Sequence, residues 1–421
     1  MRVWIIQTGE LLPYLHPEAR PMRASNVVRA LRDAGHEVVL WTSDFIHQSH
    51  EHLFGRNTIL RPEPGIELRL IHSAGYSRNI GLGRVYDHTQ FAKRLLSLMK
   101  REPLPDVAFV GFPPMEAAAV SVNRLRRHGV PTLLDVKDQW PEVFVRPIPD
   151  AFRLAGEAAI WPYQRLVKQT MRRSTALSAI SPGFLDWALS VAGRSQNEFD
   201  LVLPLTSRGC DPDVSQANAA SQWWDSQGVP DDGRFRIAYV GSISTGIDVD
   251  DMIDAASTVQ FQFVICGDGP QLEHLRRRTE HLSNVVCPGW VDQAQGEVLY
   301  GRSSVTLAPY IDEAAFGIGI PNKIYDSLRH GLPVVTNASG ALGTLVTAHD
   351  VGIHYETEDS MGLAAHLNLL AEHPQLLASM KKNARALYIQ EFTFERVYGG
   401  LVRHLETLAD IGQIEKQARN V

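Results

Sequence analysis

The segment Phe316 to Asp326, FGIGIPNKIYD, holds residue types suited to a phosphorylated ligand. Two glycines lead into Pro321, whose missing N–H costs nothing in the first turn of a helix. A helix starting there directs unpaired N–H groups and its positive dipole end at whatever precedes it, which makes an anion site. Lys323 and Asp326 are three residues apart and so share one helix face. The cation suits phosphate oxygens, and an ionised carboxylate accepts hydrogen bonds from two hydroxyl groups such as those of a ribose. A Gly-Pro loop followed by a surface Lys–Asp pair has the same spacing, so the motif alone leaves both readings open.

Three further segments carry candidate chemistry. Tyr239 to Ser244, YVGSIS, is a strand ending in Gly241, where a backbone can approach a ligand closely; Ser242 follows it. Val264 to Pro270, VICGDGP, repeats the design at Gly267. Leu133 to Glu142, LLDVKDQWPE, sets Asp135, Lys137 and Asp138 at a strand's carboxyl end. Charges beside a buried strand are costly unless paired or functional, so this segment reads either as cleft chemistry or as a local salt bridge. Arg20 and Arg23 flank the start of the first helix. The loop before that helix lacks G-x-G-x-x-G, which disfavours a dinucleotide-dependent dehydrogenase, and neither a P-loop nor a G-x-S-x-G elbow occurs. His47, His50 and His52 have no helical pairing with a Glu and read as polar loop residues, with no metal expected.

Elements that position these residues follow from hydrophobic periodicity. Buried runs rich in β-branched residues alternate with helical-period segments, the mark of α/β structure with parallel sheets. Strands are expected at Arg2 to Gln7, Glu37 to Thr42, Ile66 to Ile71, Val107 to Val110, Thr132 to Asp135, Ala176 to Ile180 and Leu201 to Pro204. Helices are expected at Arg23 to Ala34, His88 to Arg101 and Met115 to His128. Thr206 to Gly233, rich in Gly, Pro, Ser, Asn and Asp, reads as a linker. The pattern then restarts, with strands from Phe235 onward and a helix at Asn322 to Arg329. Two domains are expected: residues 1–205, completed by the helix 394–421, and residues 206–393. Such sheets bind ligands outside the carboxyl ends of their strands.

Composition bounds the rest. With 421 residues and 21% charged, the chain has the make-up of a globular protein with more than one domain. Residues 1–200 carry 25 Lys and Arg against 20 Asp and Glu; residues 201–421 carry 16 against 27, for a net charge of −6 overall. That balance gives no reason to expect nucleic acid. Three scattered cysteines, no signal-peptide pattern and no apolar run long enough to span a bilayer lead to a cytoplasmic expectation. The basic first half, with Trp161, Tyr163, Arg165, Lys168, Arg172 and Arg173 in one helical stretch, suggests peripheral contact with an anionic inner-membrane surface.

In combination these motifs resemble the family 4 glycosyltransferases of the GT-B fold, in the branch that builds bacterial surface polysaccharides. The resemblance runs along nearly the whole chain: LRDAGHEVVLWT from Leu31, DVKDQWPE from Asp135, SAISPG from Ser178, GDGP from Gly267 and PNKIYDSLRHGLPVV from Pro321. It implies two Rossmann-like domains facing across a cleft, the second holding a nucleotide-sugar. It implies retaining transfer from an NDP-sugar to a lipid-linked or oligosaccharide acceptor, with no cofactor and no required metal. Donor contacts would come from Gly241, Ser242, Gly267, Gly319, Ile320, Pro321, Asn322, Lys323 and Asp326. Asp326 would hold the ribose, and Trp290 and Val291 would border the base. Asp138 and Lys137 would stand on the catalytic side, and Arg20 and Arg23 on the acceptor and phosphate side. The family's first acidic residue falls here at Ile318, and its diphosphate-binding Arg and Lys have no counterpart in Gly241 to Ile247. Lys323 is then the main cation left. A sugar-nucleotide 2-epimerase and a non-catalytic nucleotide-sugar-binding partner of an assembly complex remain as alternatives.

Overall fold

The computed structural model describes the chain apart from residues 18, 80, 147, 210–211, 312–316, 357–358 and 420–421 and the side chains of 415 and 419. It divides into two units, Met1–Pro204 with Glu395–Val421, and Leu205–Phe394. Phe316, named above, and Cys210, one of the three cysteines, lie outside the described residues.

The first unit is built on an eight-stranded sheet. Its strands are β1 (Arg2–Ile6), β2 (Glu37–Ser43), β5 (Thr58–Leu60), β6 (Ile66–Ile71), β7 (Val107–Phe112), β8 (Thr132–Val136), β9 (Ala176–Ala179) and β10 (Leu201–Val202). A separate antiparallel hairpin, β3 (Phe45–Ile46) and β4 (Glu51–His52), follows β2. The sheet order is β10-β9-β8-β7-β1-β2-β6-β5, parallel throughout except for the β5–β6 pair. Strands such as β7, VAFVGF, are buried along their whole length, as parallel strands covered on both faces must be. Covering helices include α1 (Arg23–Asp33), α2 (Leu82–Met99), α3 (Met115–Arg127), α4 (Asp150–Arg173) and α5 (Pro182–Ala192). The helix expected from His88 begins six residues earlier, at Leu82.

The second unit contains β11 (Arg236–Val240), β12 (Gln262–Cys266), β13 (Val285–Gly289), β14 (Val305–Ala308), β15 (Val334–Thr336) and β16 (Gly352–His354), all parallel. Their order is β13-β12-β11-β14-β15-β16, the 3-2-1-4-5-6 winding of a nucleotide-binding sheet. Its helices are α6 (Val214–Ser226), α7 (Val249–Thr258), α8 (Leu272–Thr279), α9 (Gln293–Gly301), α10 (Asn322–Arg329), α11 (Gly340–Ala348), α12 (Ser360–Glu372) and α13 (Pro374–Leu387). The last helix, α14 (Phe394–Arg419), falls almost wholly in the first unit.

The segment read as a linker, Thr206 to Gly233, contains α6. Its polar composition hides a reciprocal capping box: Asp213 accepts the Gln216 amide at 2.8 Å, and the Gln216 side chain accepts the Asp213 amide at 3.1 Å. Trp224 on this helix is fully buried beside Val229, Ala238, Val264, Cys266 and Leu299.

Candidate functional site

In a 3-2-1-4-5-6 sheet the winding reverses between the first and fourth strands, and the crevice outside their carboxyl ends receives the ligand. Here those strands are β11 and β14. Tyr239 is the penultimate residue of β11, and Tyr310 lies two residues beyond β14. The Lys323 ammonium, from the first turn of α10, sits 4.0 Å from the Tyr239 ring centroid and 4.9 Å from that of Tyr310. Each is a cation–π contact that holds a positive charge without neutralising it. No carboxylate pairs with this ammonium among the described residues. Burial drives its pKa down to about 7. Among the described residues the second unit's switch point therefore holds a partly desolvated amine with no counter-ion, and an incoming phosphate would supply one.

Gly241 borders the same place. A Cβ added there would lie 3.6 Å from the Lys323 side chain. Gly267 serves packing first: a Cβ on it would come within 1.8 Å of the Gly241 carbonyl oxygen, and its φ of +146° also excludes most side chains. The loop after β11 is tied to the one after β12. Ile243 N–H donates to the Asp268 carbonyl at 2.9 Å, and Gln271 Nε2 to those of Ser244 and Ile247 at 2.6 and 2.9 Å. The Tyr239 hydroxyl donates to the Ser242 carbonyl at 2.6 Å, which shapes the turn at Ser242.

Residues preceding α10 lie against its neighbour α11. The Gly317 carbonyl accepts the Ala341 amide at 2.7 Å, and a Cβ on Gly340 would come within 1.8 Å of that carbonyl oxygen. Gly319 follows this anchor, and Ile320 is buried in the unit's core. Pro321 occupies the helix N-cap at φ −65°, so Asn322 and Lys323 contribute the first amides of α10. Asp326 is one turn further on and half-buried, within electrostatic reach of Arg329 and Tyr388. Arg329 and His330 both grip Glu297 of α9, His330 Nε2 at 2.8 Å from its carboxylate. Desolvation alone would raise the Glu297 pKa, but the hydrogen bonds from His330 and Arg329 pull it to about 2. Trp290 follows the end of β13 and is 63% exposed, whereas Val291 packs against the Trp224 cluster.

The residues expected on the acceptor side of the first unit are distributed differently. Arg23 is 2% exposed and fully engaged. Its Nε is 3.1 Å from Asp135 Oδ2, its Nη1 donates to the Pro204 carbonyl at 3.0 Å, and its Nη2 donates to the Leu203 carbonyl at 2.5 Å. The Tyr398 hydroxyl of α14 lies 3.5 Å from Nη1. This corrects the reading of Arg23 as a phosphate ligand: a buried guanidinium with such partners is a structural clasp. Asp135 is its counter-ion and also accepts the Ser178 hydroxyl at 2.8 Å. Lys137 is 2.9 Å from Glu10, whose other oxygen accepts the Ala24 amide at the start of α1. Asp138 remains exposed; desolvation on its inner side raises its carboxyl pKa against the pull of Lys137 and Arg84. Arg20 is partly exposed before α1.

Sequence comparison bears directly on both units. Residues 22–203 match a family model described as "Glycosyl transferase 4-like domain", and residues 234–373 match one described as "Glycosyl transferases group 1". The chain is a glycosyltransferase. Solved structures share its fold across nearly its full length. HepE of Anabaena, determined with UDP-glucose, superposes with a TM-score of 0.63 at 15% identity over 97% of this chain and all of that one. Sucrose-phosphate synthase of Thermosynechococcus elongatus gives 0.66 at 15% identity, covering 100% of this glycosyltransferase and 99% of the other. WaaG, a glycosyltransferase of lipopolysaccharide biosynthesis, gives 0.63 at 14% identity over 96% and 99%. A curated relative, D-rhamnosyltransferase WbpZ of Pseudomonas aeruginosa, is 27% identical over 146 residues. That match spans 34% of this glycosyltransferase and 37% of the relative. These likenesses establish an α/β fold of GT-B type with two Rossmann-like units.

Local sequence carries no signal for the roles of Tyr239, Tyr310, Glu297 and Glu10. Tyr239 and Tyr310 end or follow strands that read simply as buried, and nothing local ties either one to Lys323.

Proposed function

We propose that this glycosyltransferase moves a sugar, with retention of anomeric configuration, from an NDP-sugar to a lipid-linked or oligosaccharide acceptor in surface-polysaccharide assembly. The observation that carries the donor reading is the Lys323 ammonium, held over two tyrosine rings with no counter-ion among the described residues, at the switch point of the second unit's sheet. The UDP-glucose held by HepE and the activities named for WbpZ and WaaG support the class of donor and the setting.

In this reading Lys323 and the first amides of α10 stabilise the diphosphate as it departs. Gly241 and Ser242 border it, Asp326 accepts the ribose hydroxyls, and the exposed Trp290 offers a face to the base. The leaving phosphate assists removal of the acceptor's proton, so the transfer step itself needs no cofactor and no metal. Asp138 keeps an open face, and its raised pKa suits proton exchange with an acceptor hydroxyl. The work is done at the cytoplasmic face of the inner membrane.

Calorimetry with UDP-, GDP- and dTDP-sugars tests the proposal. One of them binds the wild-type protein, and Asp326→Ala weakens that binding by about tenfold or more. Absence of binding across all three classes would overturn the catalytic reading. Formation of a changed nucleotide-sugar without any acceptor would replace transfer by epimerisation.

A further inference from the structure

Three side chains of the first unit that no step of transfer uses converge at the carboxyl end of its sheet. Asp44 lies between β2 and β3, His52 ends β4, and His72 follows β6. Asp44 is fully buried, while the two imidazoles are 26% and 30% exposed. Asp44 Oδ2 is 3.2 Å from His52 Nδ1 and 3.1 Å from His72 Nδ1, and the two rings have centroids 4.5 Å apart. The Gly55 amide also donates to Oδ2 at 3.0 Å, while the Phe54 amide holds Oδ1 at 2.8 Å. Three nitrogens thus crowd one oxygen that has two lone pairs to offer.

We propose that Asp44, His52 and His72 form a zinc site that pins the β3–β4 hairpin to the ends of β2 and β6. The candidate ligand atoms all lie within 4.8 Å of one another. Four ligands placed tetrahedrally at 2.0–2.1 Å from zinc stand about 3.4 Å apart, close to the two oxygen-to-nitrogen separations present here. Two imidazoles and a carboxylate are an ordinary ligand set for this ion, and the partial exposure of both rings leaves a fourth position to water. The backbone amides on Asp44 orient it as outer-shell donors do for metal-bound carboxylates. His52 Nδ1 is buried with no hydrogen-bond partner among the described residues, and zinc would take up its lone pair. The neighbouring histidines are committed elsewhere: His47 Nδ1 is 2.7 Å from the Tyr76 hydroxyl, and His50 Nε2 is 2.9 Å from Asn79 Oδ1. Phe45, Ile46 and Leu53 of the pinned hairpin line a recess with Gly9, His16 and Thr42, so the ion would brace that wall and take no part in transfer.

The test titrates zinc alone into the full-length protein against a chromogenic chelator at pH 7.5. One zinc binds per chain, His52→Gln and His72→Gln each weaken it by roughly tenfold or more, and His47→Gln leaves it unchanged. Two measurements on the wild-type protein do not depend on how the variants fold. Zinc raises its melting temperature, and cobalt bound in its place gives the visible spectrum of a tetrahedral nitrogen–oxygen site. Absence of stoichiometric binding, or equal affinity in wild type, His52→Gln and His72→Gln, would overturn the proposal.

Discussion

Lys323 combines two properties that pull against each other. Its ammonium is desolvated, which favours the neutral amine and sets a pKa of about 7 against the ordinary 10.5. A bound diphosphate reverses that preference and raises the pKa again. The complex then holds more protons than the free protein above pH 7, so nucleotide affinity falls as pH rises, by up to tenfold per unit. Calorimetry at pH 8 in two buffers of different ionisation heat reads this as proton uptake on binding; equal heats in both buffers would count against it. The same shift makes the unfolded chain bind more protons than the folded one between pH 7 and 10.5, so Lys323 lowers stability at neutral pH and its cost fades upward. Lys323→Met therefore melts no lower than wild type at pH 7, while its nucleotide-sugar affinity drops by about tenfold or more. At this scale the sequence is legible where the signal is local. Pro321, Asn322 and Lys323 announce a helix start within three residues. Arg23 misleads because its partner Tyr398 comes 375 residues later, and no short-range pattern shows that a cation is buried.

The strand-to-helix loops of the second unit are matched by steric fit. The turn after β11 rests on the turn after β12 through backbone atoms, with Gly267 against the Gly241 carbonyl and Gly269 within 2.5 Å of the Ile243 carbonyl oxygen at the position of an added Cβ. Gly267→Ala should displace the β11 turn and cost about 1–3 kcal/mol, read as a lower melting temperature, and it should weaken nucleotide binding because Gly241 flanks Lys323. Unchanged melting would show that the two turns can separate freely. Strands and helices with strong periodicity were readable in advance, Asn322–Arg329 to the residue. The helix Val214–Ser226 was not, because its polar surface and capping residues resemble turn composition, and only Trp224 hints at a buried face. The hairpin of β3 and β4 has two residues per strand, too few for any alternation to register.

Two helices of the first unit expose apolar side chains. The first half of α4 exposes Phe152, Leu154 and Trp161, with Arg153 and Arg165 beside them, and Leu82, Val85 and Tyr86 of α2 are exposed as well. No described helix is long and apolar enough to cross a bilayer. Aromatic and aliphatic side chains among arginines suit the boundary between headgroups and acyl chains. The protein should sediment with vesicles containing anionic lipid at low salt and lose most of that binding when Phe152, Leu154 and Trp161 are replaced by Ser. Equal sedimentation of the two proteins would locate any membrane contact elsewhere.

The clasp around Arg23 also bears on how the chain is made. The first unit is discontinuous: Leu205–Phe394 is inserted before Tyr398, which completes the burial of the Arg23–Asp135 pair. A ribosome adding roughly 5–20 residues per second needs on the order of ten seconds or more to deliver that insertion. Throughout that interval a nascent first unit carries its ion pair uncovered on one side, and the second unit has all of its residues before the first unit does. Vectorial synthesis thus reverses the order that numbering suggests, and the unit begun first is the one finished last.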